Sequence, residues 1–129
     1  MANEVVVSIV DDDLSVSEGL MDLLNSMGFI AETFQRADDF LKSSRVDSSA
    51  CLIADVQMPG MTGIDLHDQL VKAGNTVPTI LITAFPKDAD RARAARTGVR
   101  CYLSKPFCEQ ELLSCIQAAL GSGSPMGVG

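Results

Sequence analysis

Apolar positions along this chain fall into two alternating patterns. Short runs rich in β-branched residues occur at "EVVVSIV" (4–10), "FIAETF" (29–34), "ACLIAD" (50–55), "VPTILIT" (77–83) and "VRCYLS" (99–104), and each predicts a strand. Between them lie stretches with helical spacing. These are "LSVSEGLMDLLNSM" (14–27), with Leu20, Leu23, Leu24 and Met27 on one side, "ADDFLKSS" (37–44), "IDLHDQLVKA" (64–73), "DADRARAART" (88–97) and "CEQELLSCIQAAL" (108–120). Ser15 and Glu18 have capping-box spacing at the first helix, and Gly28, Gly74, Gly98 and Gly121 stand where a helix would stop. The third strand is continuous in apolar residues, as expected where helices cover both faces of a sheet.

Five βα units in a chain of this length predict an α/β fold: a doubly wound, flavodoxin-like (βα)5 domain with a five-stranded parallel sheet in the order 2-1-3-4-5. Such sheets bind ligands beyond the carboxyl ends of their strands, at the switch point between strands 1 and 3. Strand 1 ends at Asp11 and Asp12, strand 3 at Asp55 and strand 4 at Thr83, while Lys105 follows strand 5. Carboxylates crowded after an apolar run repel one another unless a cation or water answers them. Several oxygen donors with one hydroxyl and one ammonium suit Mg²⁺, a hard ion that shares its shell with phosphates.

Length and charge narrow the picture further. The 129 residues suit one domain, here 1–120, and "GSGSPMGVG" (121–129) has the composition of a flexible tail or linker. No apolar stretch approaches the roughly 18 residues of a membrane span, and "MANEVVV" has no basic region before its apolar run. The expectation is a cytoplasmic protein with no membrane partner. Net charge is −7, with 13 acids against 3 bases in residues 1–68 and 4 against 7 in residues 69–129. That deficit argues against nucleic-acid binding by this domain. Cys51, Cys101, Cys108 and Cys115 contain no C-x-x-C pair, so they read as reduced thiols, with Cys108 and Cys115 sharing a helix face. His67 reads as a surface residue of a polar helix, and Asp13 as an acid favoured at a helix start.

"VDDD" after strand 1, "DVQMPGMTG" after strand 3, "LITA" at strand 4 and "YLSKPF" at strand 5 resemble the receiver domain of bacterial two-component response regulators, the CheY-like family. The likeness spans about residues 5–120, and "GFIAETFQRADDFL" is similar to receivers of the FixJ type. It implies that Asp55 accepts a phosphoryl group from a sensor histidine kinase, a histidine phosphotransfer protein or a small phosphodonor. It further implies Mg²⁺ held by Asp11, Asp12, Asp55 and the backbone carbonyl of Gln57, with Lys105 and Thr83 completing the chemistry. Thr83 and Tyr102 would be the switch residues, Tyr102 rotating inward, and Lys105-Pro106 a cis peptide. Gln57 and Phe85 sit where the family varies its dephosphorylation rate, and Phe107 reads as a packing anchor. A surface formed by helix 4, strand 5 and helix 5, with Arg91, Arg93 and Arg96 beside it, would serve partner docking or homodimer formation. On this view the domain is no independent enzyme, catalysing only its own phosphotransfer and dephosphorylation.

Other classes fit less well. A Mg²⁺-dependent phosphatase of the haloacid-dehalogenase kind wants a second aspartate two residues after the nucleophile, where this chain has Gln57. An FMN carrier wants Ser, Thr and Gly after strand 1, and "DDDLS" would repel a phosphate there. A phosphorylation-independent interaction module of the same fold stays open as an alternative. FixJ-type receivers usually carry a helix-turn-helix domain; a stand-alone or phosphorelay receiver is the expectation for this chain, slightly ahead of a transcription-factor receiver separated from its output domain.

Overall fold

A computed structural model describes residues 5–120. The elements run β1 (Val6–Val10), α1 (Leu14–Ser26), β2 (Ile30–Phe34), α2 (Ala37–Leu41), β3 (Cys51–Asp55), α3 (Gly63–Lys72), β4 (Thr79–Thr83), α4 (Asp88–Thr97), β5 (Cys101–Ser104) and α5 (Glu109–Leu120). One parallel sheet joins the strands in the order β2-β1-β3-β4-β5, as the alternating pattern predicts. The candidate tail at 121–129 lies outside the described residues.

Alternation along the strands divides the core into two layers. Val7, Ile9, Ile53 and Ile80 face α1 and α5, where Leu20, Leu24, Leu112 and Ile116 meet them. Val10, Leu52, Ala54 and Leu81 face α2, α3 and α4, against Phe40, Ile64, Leu66 and Leu70. Each fully buried Leu or Ile contributes roughly 1.5–3 kcal/mol of transfer free energy, so the covered sheet can carry polar groups at one end. Ser8, buried in β1, is satisfied by the Ser49 hydroxyl at 2.6 Å. Phe107 packs against the α1/α5 layer.

Four local expectations need correction. Asp13 caps α1, its carboxylate accepting the N–H groups of Ser15 (2.9 Å) and Val16 (3.3 Å), so Ser15 sits inside the helix and the Ser15–Glu18 box does not form. The nearer acid wins because its side chain reaches the free N–H groups of the first turn. The stretch 37–44 is helical only to Leu41; a 3-10 turn, Ser44–Val46, follows, with the Ser43 hydroxyl accepting the Arg45 N–H. Cys108 precedes α5 and is exposed while Cys115 is buried, so the two share no helix face. His67 is buried at 4% exposure, and its Nδ1 lies 3.1 Å from the Thr97 hydroxyl of α4. Its polar neighbours in sequence concealed that α4 packs over it.

The start of α3 binds that helix to the carboxyl end of β3. Thr62 and Asp65 form a reciprocal capping box, which the apolar pattern of the helix does not reveal. The next residue, Gly63, leaves no room for a side chain: a Cβ there would stand 2.5 Å from the Asp55 carbonyl oxygen and 3.1 Å from Leu81 Cδ2. Gly63→Ala should therefore destabilise the domain by about 1–3 kcal/mol, the usual cost of overpacking. Urea unfolding would measure it, and an unchanged midpoint would show that α3 can back away from β3 freely.

Candidate functional site

The parallel register delivers the site. Val10 pairs with Ala54 and Asp55 with Ile82, so the residues after β1 and at the end of β3 emerge side by side. Thr83 pairs with Ser104, and the Lys105 N–H donates to the Thr83 carbonyl at 2.7 Å, which places Lys105 at the same edge. Asp11 is wholly buried, Asp55 is 5% exposed and Asp12 is open to solvent.

One carboxylate oxygen each of Asp11, Asp12 and Asp55 lies within 4.8 Å of the others. Lys105 Nζ donates to Asp55 Oδ2 at 3.1 Å and to Asp11 Oδ2 at 3.4 Å. The remaining oxygens are oriented by backbone: Asp11 Oδ1 accepts the Asp13 N–H and Asp55 Oδ1 the Gln57 N–H, both at 2.9 Å. The Ser17 hydroxyl in α1 donates to the Asp11 carbonyl at 3.2 Å. The Lys105-Pro106 peptide is cis.

The profile of the family described as response regulator receiver domain matches residues 7–117. This chain belongs to that family. The receiver is 39% identical over 115 residues to the response regulator protein TodT of Pseudomonas putida, covering 89% of this chain and 51% of that protein. The solved structure of response regulator StyR superposes with a TM-score of 0.84 at 42% identity, covering 93% of this chain and 61% of that one. FixJ-N superposes at 0.83 with 26% identity, covering 97% of this chain and all of that one. The chain thus spans about half the length of the curated relatives it matches. It is a receiver domain of two-component signalling, and among the described residues no helix is long and apolar enough to cross a membrane.

Electrostatics in the receiver's pocket pull against one another. Burial, helped by the nearby Asp55 charge, pushes the Asp11 carboxyl up to about 6 against the Asp13 N–H and Lys105, which pull it down. Burial alone would lower the Lys105 ammonium, but its hydrogen bond to Asp55 and the charges of Asp11 and Asp55 outweigh that and raise it. Lysine is therefore a fixed cation at neutral pH.

The other candidate residues divide. Thr83 is buried with its hydroxyl donated to Gln57 Oε1 at 2.5 Å, a bond no sequence spacing announced. Tyr102 is half-buried, and its hydroxyl is enclosed with no hydrogen-bond partner among the described residues. The guanidinium of Arg91 lies 4.8 Å from that ring's centroid, whereas Arg93 turns to α3 and pairs with Asp65 and Asp68, both at 3.1 Å. The basic helix is thus not one uniform surface of free charge. Phe85 is 67% exposed beside the pocket, its N–H donating to the Thr83 hydroxyl. Cys51 and Cys115 are held as thiols, both pushed up to about 12 chiefly by burial.

Folding must bury Asp11 with its pKa raised from 3.8 to about 6, so the folded state binds an extra proton between those values and loses stability as pH rises through them. Asp11→Asn should stabilise the chain in chelator at pH 7 by about 2–3 kcal/mol, and the gain should shrink on acidification toward pH 4. Thermal melts across that range test it; no gain at pH 7 would show that Lys105 already offsets the buried charge, and a gain independent of pH would show that it does not come from the Asp11 titration.

Proposed function

We propose that Asp55 accepts a phosphoryl group from the phosphohistidine of a sensor histidine kinase or a histidine phosphotransfer protein, or from a small phosphodonor. What carries this reading is the Asp55 carboxylate, 5% exposed, steered by the Gln57 N–H and lying 3.1 Å from the Lys105 ammonium. A carboxylate oxygen of Asp55 bonds to phosphorus as the phosphorus–nitrogen bond breaks, and the imidazole leaves with the electron pair. Lys105 meets the negative charge on the transferring oxygens, and its raised pKa keeps it charged for that task.

The donor set fits Mg²⁺: three convergent carboxylates provide hard oxygens and excess negative charge. Asp11, Asp12 and Asp55, with the backbone carbonyl of Gln57, are the residues that would hold it. When bound, the ion neutralises charge on the carboxylates and the incoming phosphoryl oxygens. The domain, residues 1–120, turns over no separate substrate. Thr83 and Tyr102 carry the change to the surface of α4, β5 and α5, where a partner or a second copy docks; neither membrane nor nucleic acid is a partner of this domain.

Acetyl phosphate with Mg²⁺ should add one phosphoryl group to Asp55, read by intact mass and peptide mapping at low temperature. Asp55→Asn should abolish the adduct with the circular dichroism spectrum retained, and chelator should suppress it. Labelling that persists at the same site in Asp55→Asn would remove the assignment. Absence of any adduct with a histidine-kinase donor as well would favour a phosphorylation-independent interaction module.

A further inference from the structure

The one proton of the Thr83 hydroxyl is committed before any phosphoryl group arrives. It is wholly buried, donates to Gln57 Oε1 at 2.5 Å and accepts the Phe85 N–H at 3.0 Å. A hydroxyl carries one proton, so while that proton points at Gln57 it cannot point at a phosphoryl oxygen on Asp55. Gln57 meanwhile touches Asp55 itself, its N–H bonding Oδ1 at 2.9 Å. One residue therefore orients the carboxylate through its backbone and occupies the neighbouring hydroxyl through its side chain.

We infer that the Gln57 amide is a latch that holds Thr83 in the unphosphorylated arrangement and competes with the phosphoryl group for its proton. The inference rests on Asp55 being the phosphoacceptor. Competition of this kind sets how far a phosphoryl group shifts the receiver, because its new hydrogen bonds act only to the extent that they outweigh the resting ones they replace. A released amide has somewhere to go: Gln57 lines a cleft of about 500 Å³ beside Lys87, Asp90 and Arg93. With the latch removed, the buried hydroxyl lacks an acceptor in the resting state and is biased toward the one supplied on Asp55. Gln57 is on this account a positioning residue, acting through Thr83.

Beryllofluoride with Mg²⁺ is the probe, since it occupies a carboxylate as a phosphoryl group does and removes hydrolysis from the measurement. Isothermal titration should give about tenfold tighter binding for Gln57→Met than for the unaltered chain, the worth of one buried neutral hydrogen bond. Gln57→Ala, which adds no bulk, should move in the same direction. In a Thr83→Ala background the Gln57→Met change should have no effect, because the partner hydroxyl is gone. Equal tightening in both backgrounds, or none in either, overturns the latch while leaving the phosphoacceptor assignment intact. Failure of the unaltered chain to bind beryllofluoride overturns that assignment and the latch with it.

Discussion

Two carboxylates and one ammonium, brought together by three strands, are the arrangement on which the rest depends. Asp11 and Asp55 stand at the ends of adjacent parallel strands, and Lys105, arriving from β5, reaches both within 3.4 Å. Burial, with the Asp55 charge added to it, still holds the Asp11 carboxyl up at about 6, so its charge is only partly answered. An unanswered excess of negative charge in a half-enclosed pocket is a standing attraction for a cation. It is also a cost that the apolar layers on both faces of the sheet must offset.

The scaffold confines that tension to one edge. β1, β3 and β4 are buried along their whole length, and polar groups inside the sheet, such as Ser8, find partners. Around the pocket, the loop after β3 is pinned where Gly63 lies against the Asp55 backbone and where Thr62 and Asp65 cap α3. α3 is in turn stitched to α4 by His67 with Thr97 and by Arg93 with two aspartates. Thr83 thus stands at the end of a fully buried strand, beside a helix pair joined by polar contacts of modest individual worth.

Much of this was legible in order along the chain. Alternating apolar runs and helical stretches determined the five βα units, the order common to doubly wound sheets of this size is the one found, and the strand-end positions named Asp11, Asp12, Asp55, Thr83 and Lys105. Less was legible where two elements compete for one side chain. Asp13 displaced Ser15 as the helix cap because its carboxylate reaches two free N–H groups, and the short second helix broke early into a 3-10 turn.

What the sequence by itself determined was therefore what repeats with a period: elements, their order, and the residues at strand ends, since β-strand and helix spacings follow from backbone geometry. Only the tertiary structure decided which neighbours those residues acquire. That His67 is buried under α4, that Arg93 turns to α3, and that Gln57 holds the Thr83 hydroxyl depend on packing between segments 26 to 30 residues apart. No local spacing encodes such contacts, because side-chain partners across elements are set by how the elements pack, and burial then obliges each polar group to find a partner.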